Sequence, residues 1–137
     1  MGPDQVESSR PDYLIITATR LEHETILDTM GGLEPTVYAH RRVVFGQIAG
    51  KRVAVMEAGI GLVNTAQALT AFLEGNRVNQ VVQCGIGGAF PASGLSVGDL
   101  AVATAEIMGE FGVAEASGWS DGSTIGIPVL DTDGASV

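Results

Sequence analysis

Two glycine-bearing stretches and one glutamate carry the chemistry that this sequence could do. Ala58-Gly59-Ile60-Gly61 and Cys84-Gly85-Ile86-Gly87-Gly88 each follow an apolar run. Glycine at the end of a strand costs backbone entropy and adds no side chain to pack. Either a ligand must approach the main-chain N–H groups there, or the chain turns tightly from strand to helix with no ligand at all. Glu22 stands just beyond the first apolar run, in the first turn of an expected helix that also holds His23 and Glu24. A carboxylate there can simply cap the helix or lie on a solvated face. Aimed into the crevice of the glycines, it can act as a general base.

Other chemistries lack their residues. There is no serine-centred nucleophile elbow, no CxxC, no HExxH and no phosphate-binding P-loop. Gly59-x-Gly61-x-x-Asn64 lacks the third glycine of a dinucleotide fingerprint, and no acidic residue stands about 20 positions on at a strand end. His23 and His40 read as surface residues rather than a metal site. Cys84 reads as a small buried hydrophobe with no catalytic partner. Neither a metal nor a cofactor is expected.

The elements that must position these residues follow from periodicity. After a polar, proline-bearing arm over residues 1–11 that is expected to be disordered, residues 13–18 (YLIITA) are apolar at both parities, as in a buried parallel strand. Leu21, Thr25, Ile26 and Met30 recur at helical spacing, and Gly31-Gly32 is expected to end that helix. Residues 42–48 and 52–58 predict two strands joined by a hairpin over Ala49-Gly50-Lys51. Val63, Ala66, Leu69 and Leu73 share one face of a helix over 63–73. Residues 78–84 and 100–105 predict two further strands. Beyond Phe111 the pattern fades, and 121–137 reads as an irregular tail.

This order is α/β. With 137 residues, 45% of them hydrophobic, the chain can bury one core and is too short for two. The domain is expected over 12–120. Net charge is 7 − 16 = −9, which opposes a nucleic-acid partner, since phosphate backbones need clustered Lys and Arg. The basic doublet Arg41-Arg42 reads as a solvated strand edge or turn. One cysteine permits no internal disulfide, and no window approaches the apolar length of a membrane helix. A cytoplasmic setting without membrane partners is the expectation.

Three separated segments, ATRLE (18–22), AGIGLVNTAQAL (58–69) and CGIGGAFPASGLSVGDLAVAT (84–104), together resemble the purine nucleoside phosphorylase and nucleosidase superfamily. Within it, residues 109–115 (GEFGVAE) with Gly118-Trp119, and 87–91 (GGAFP), are most similar to the futalosine hydrolases. The resemblance implies the first part of a phosphorylase/hydrolase-like fold, a central mixed twisted sheet flanked by helices. It implies a nucleoside pocket walled by Gly85, Ile86, Gly87, Gly88 and Phe90, and by Gly59, Ile60 and Gly61 near the ribose. Phosphorylases of the superfamily carry an arginine and a serine where Gln83 and Ile86 stand here, so the resemblance implies water rather than phosphate as nucleophile. Glu22 matches the glutamate that activates this water.

The implied reaction is dissociative hydrolysis of an N-ribosidic bond, releasing hypoxanthine from futalosine on a route to menaquinone. A methylthioadenosine/adenosylhomocysteine nucleosidase is the alternative. Family members are homo-oligomers. They carry a later aspartate that protonates the departing base, and a Glu-Met-Glu-like segment for the ribose hydroxyls; neither is matched here, and the chain reads as the beginning of such a domain. A catalytically inactive nucleoside-binding module and a phosphorylase stay open as further classes; Gln83 speaks against the latter.

Overall fold

An apolar run with no alternation needs an apolar layer on both faces, and residues 13–17 have one on each. The computed structural model describes residues 10–125, 131–132 and 135–136. The run forms β1 (Tyr13–Thr17). A 3₁₀ turn follows (Arg20–Glu22), then α1 (Glu24–Thr29), β2 (Gly31–Tyr38), β3 (Arg41–Ile48), β4 (Lys51–Glu57), α2 (Leu62–Gly75) and β5 (Gln80–Gln83). These strands make one sheet in the order β2-β3-β4-β1-β5. β1 is parallel to both β4 and β5, while β2, β3 and β4 form an antiparallel meander. The sheet is mixed, as expected.

Parity decides which layer each side chain joins. Leu14 and Ile16 of β1 and Ala54 and Met56 of β4 pack with Ala68 and Phe72 of α2. The intervening residues, Ile15 of β1 and Val53 and Val55 of β4, pack with Met30 and with Ile26 and Leu27 of α1. Phe72 is fully buried, with the rings of Tyr38 and Phe45 at 5.6 and 6.4 Å. Removing a buried ring of this kind costs about 3–5 kcal/mol.

Chain topology then gathers the loops. Because β4, β1 and β5 are parallel, Glu57, Thr17 and Gln83 end at the same edge of the sheet. Ligands of open α/β sheets bind outside the carboxyl ends of such strands. The ladder continues a little past them: Ala58 and Gly59 donate to the carbonyls of Thr17 and Ala18 at 2.8 and 3.0 Å, and Cys84 donates to that of Ile16 at 3.1 Å.

Three expectations are corrected. Gly31-Gly32 does not close a helix onto a loop; α1 ends at Thr29, and Gly31 opens the eight-residue edge strand β2. No strand forms over 100–105. Leu100 and Val102 are exposed, and a strand exists only through a ladder partner, which this run lacks among the described residues. His23 is buried rather than on the surface.

The chain divides into two compact units, 1–88 and 89–137. In the second, a 3₁₀ turn over Pro91–Ser93 precedes a hairpin of β6 (Gly112–Glu115) and β7 (Gly118–Asp121) and one helical turn, α3 (Gly122–Ile125). Residues 131–132 pair with 135–136. The expectation for 1–11 falls mostly outside the described residues, and that for 121–137 falls partly outside them.

Candidate active site

Glu22 closes the 3₁₀ turn that follows β1. One carboxylate oxygen reaches back to the head of its own turn, where the Thr19 N–H donates to Oε2 at 2.8 Å. The other reaches across to the glycine loop, where the Ile86 N–H donates to Oε1 at 3.3 Å. The capping reading therefore describes one oxygen and the crevice reading the other. These donors, Thr19 foremost, hold the carboxyl below the ordinary glutamate range, against a partial burial that pushes it up. At neutral pH Glu22 is a carboxylate held on two sides, with lone pairs left to accept from a third partner.

The glycines of the two loops have different causes. Gly59 and Gly61 adopt φ of +90° and +93°. Gly61, with ψ 162°, is the N-cap of α2 in a region that only glycine occupies without strain. Gly85 has an ordinary φ, but a Cβ there would stand 2.8 Å from Glu22 Oε1. Gly85 is thus the place where the Glu22 carboxylate lies against the backbone. For Gly87 and Gly88 a Cβ would meet nothing within 4 Å. Ile60 and Ile86 are exposed. Phe90 is also exposed and belongs to the second unit.

Several residues beside these loops carried no clear signal in the sequence. Arg41, read above as a solvated edge, is half-buried at the start of β3 and bonds Asn64 Oδ1 at 3.0 Å and Gln67 Oε1 at 3.0 Å. Asn64 in turn donates to the Ile60 carbonyl at 2.8 Å. This bridge ties β3 to the first turns of α2 over Gly59, where a Cβ would come within 3.3 Å of Arg41. Thr17 and His23 are buried beneath the Glu22 turn, with Thr17 Oγ1 and His23 Nδ1 2.7 Å apart. Burial pushes the His23 imidazole below its ordinary pKa, partly opposed by Glu57, so the ring is neutral at pH 7. Cys84 is half-buried, and burial together with the nearby Glu22 charge raises its thiol pKa; it is a thiol, not a nucleophilic thiolate.

No group of three or more His, Cys, Asp or Glu that could hold a metal occurs among the described residues. No helix among them is long and apolar enough to cross a membrane.

Comparison with known proteins bears on the family and the fold. The model of the phosphorylase superfamily matches residues 12–132. The chain is 34% identical over 101 residues to a 5′-methylthioadenosine/S-adenosylhomocysteine nucleosidase of Listeria welshimeri, covering 74% of this chain and 43% of that protein. It is 34% identical over 90 residues to the nucleosidase of that name from Shewanella denitrificans, covering 66% and 39%. Among solved structures it is similar to the Colwellia psychrerythraea nucleosidase in complex with adenine, with a TM-score of 0.60 and 31% identity over 66% of this chain and 37% of that one. The Streptococcus pneumoniae nucleosidase with a transition-state inhibitor gives 0.59 and 28%, over 64% and 37%. This chain spans less than half the length of each of these relatives. By the extent of the match from 12 to 132, the chain belongs to the phosphorylase superfamily.

Proposed function

We propose that this chain supplies the water-activating side of a nucleoside N-ribosyl hydrolase. The observation that carries the reading is the Glu22 carboxylate, ionised and held between the Thr19 and Ile86 N–H groups at the shared carboxyl edge of β1 and β5. A carboxylate so held orients a water by accepting its proton, and a positioned base of this kind contributes about 10²–10⁴-fold. As the base departs and the ribose becomes cationic, the Glu22 charge also stabilises the sugar. Gly59, Ile60, Gly61, Gly85, Ile86, Gly87 and Gly88 are the proposed wall of the nucleoside site. Gln83 and Ile86 supply little charge-assisted bonding for phosphate, which supports water as the nucleophile.

The substrate class is revised from the expectation. The relatives are named for 5′-methylthioadenosine and S-adenosylhomocysteine, and one structure holds adenine. These favour a 5′-thio-substituted adenosine over futalosine, and release of adenine over hypoxanthine. Exposed Leu21, Ile60, Leu62, Val63 and Ile86 support a homo-oligomeric assembly.

The test is base release from 5′-methylthioadenosine and from futalosine, each with and without phosphate. Phosphate-independent adenine release is expected, with Glu22→Gln keeping nucleoside binding and losing turnover. Hypoxanthine release from futalosine alone restores the futalosine reading. Phosphate-dependent release of ribose 1-phosphate makes the protein a phosphorylase, and binding without turnover makes it a nucleoside-binding module. Full turnover by Glu22→Gln removes Glu22 from the mechanism.

A further inference from the structure

The turn that carries Glu22 is closed by a capping box between Thr19 and Glu22 but has little else of its own to hold its shape. It contains neither glycine nor proline, and its backbone bonds are two i→i+3 contacts of 3.3 and 3.1 Å, Glu22 N to Thr19 O and His23 N to Arg20 O. A 3₁₀ turn of such bonds is weak. Leu21, on the same turn, is 72% exposed. Yet the carboxylate is aimed at two separate N–H groups. The capping box accounts for the contact to Thr19; the aim at Ile86 depends on what holds the turn itself in place.

Thr17 precedes the turn and His23 follows it. Both are buried, at 1% and 2% exposure. Thr17 Oγ1 lies 2.7 Å from His23 Nδ1 and 3.2 Å from the Thr19 carbonyl. The hydroxyl has one proton, so a single arrangement satisfies both contacts: His23 Nδ1–H donates to Thr17 Oγ1, and Thr17 O–H donates to the Thr19 carbonyl. The N–H of that same Thr19 donates to Glu22 Oε2. The bonds from His23 and Thr17 and the bond to the carboxylate thus meet at Thr19, on the two peptide groups that flank its Cα. Filling the space alone would be done at less desolvation cost by an apolar side chain, since burying an imidazole and a hydroxyl is favourable only when they are bonded.

We propose that Thr17 and His23 are positioning residues that clamp the two ends of the 3₁₀ turn and so hold the Glu22 carboxylate against the Ile86 N–H. This rests on Glu22 being the water-orienting carboxylate, but its test does not use turnover. The clamp fixes Thr19 from below, and Thr19 fixes the carboxylate.

The experiment follows the Thr19 and Ile86 backbone amide signals of the full chain by NMR during an acid titration. In the unsubstituted protein both signals shift with one common midpoint, and Glu22→Gln abolishes that shift, assigning it to this carboxyl. Thr17→Val keeps the shape and removes the hydroxyl. With it the Ile86 amide loses more than about half of its titration shift, as a charge-assisted bond is broken. Thr17→Ser, which restores the hydroxyl, keeps the shift. Thr17→Val with both amide titrations unchanged overturns the proposal.

Where Thr17→Val fails to fold, the paired variants His23→Asn and His23→Leu decide. Asparagine retains a donor near the Nδ1 position and leucine does not, so equal titrations in the two overturn the clamp. If the clamp holds but no nucleoside is cleaved, the hydrolase reading fails and the positioning stands. If hydrolysis depends on Glu22 but Thr17→Val leaves the amides unmoved, the reverse is true.

Discussion

The two glycine loops look alike in sequence and are built for different reasons. In Ala58-Gly59-Ile60-Gly61 the glycines answer to the backbone, with φ of +90° and +93° on the way into α2. In Cys84-Gly85-Ile86-Gly87-Gly88 no φ is left-handed, and Gly85 answers to a side chain, the Glu22 carboxylate that a Cβ would meet at 2.8 Å. The first loop is a turn that happens to border the site. The second is shaped by the proposed catalytic group itself. The same residue type thus carries a stability requirement in one loop and a chemical one in the other, and substitutions can separate them.

The largest effect is expected at Gly85. The atom that a new Cβ would meet is the far end of a flexible side chain, so the fold can yield at little cost. What moves is the carboxylate, away from the Ile86 N–H. Gly85→Ala should lower kcat for the nucleoside by about 10²-fold, the scale of a misplacement near 1 Å, while changing stability by less than about 1 kcal/mol. Steady-state kinetics beside a denaturant melt measure both. A destabilised but fully active Gly85→Ala would show that the two loops do not differ in kind.

Gly61 should show the opposite balance. With φ +93° and ψ 162°, alanine there is strained whatever the space around it, at a cost of about 1–3 kcal/mol. Gly61→Ala should lower the unfolding free energy by that much, read from the shift of the denaturation midpoint. Alanine tolerated without loss would mean that α2 can begin from another backbone geometry.

Acid sharpens the contrast, because only one loop is held by a titrating group. The Glu22 carboxyl lies below its ordinary range in the folded chain, chiefly through the Thr19 N–H with the Ile86 N–H contributing. A depressed pKa stabilises the fold above the unfolded value and loses that contribution as pH falls through the folded one. The stability difference between the unsubstituted protein and Glu22→Gln should therefore be widest near neutrality and shrink below about pH 4. The Gly61→Ala loss should not change over the same interval. Thermal melts across pH measure both; a Glu22→Gln difference that is flat with pH removes the charge from the second loop's account.

How much of this could be read from the sequence follows the same division. β1, β3, β4 and α2 were legible because their apolar residues obey one period and build the core. Both glycine loops were legible as stretches where a strand ends in glycine, though not the different cause behind each. β2 was not, because Gly31-Gly32 and Pro35 argue against a strand and every residue in it but Tyr38 is exposed; only pairing with β3 makes it one. His23 was misplaced because Glu22 and Glu24 flank it, and a buried polar residue between two charges gives no periodic signal. Residues 100–105 show the converse, an apolar pattern without a partner to realise it. Glu22 could be placed near the glycine loop, but not its contact with Gly85, which depends on a parallel register bringing Ile16 opposite Gln83.

The smallest effect is the one that bears most directly on the ligand. Neither the left-handed backbone nor a neighbouring atom requires glycine at Gly87. Alanine there should stabilise the protein by about 0.4–1 kcal/mol, because it restricts the unfolded chain. If the nucleoside passes along this stretch, the same substitution should raise KM, and titration of the variant with adenine would show weaker binding. A stabilised Gly87→Ala that binds adenine unchanged would leave Gly85 as the only glycine of the second loop with a function, and would move the nucleoside wall away from residues 87 and 88. A stabilised variant that binds weakly would mean that two glycines of one loop make room for the two reacting partners, Gly85 for the carboxylate and Gly87 for the nucleoside it serves.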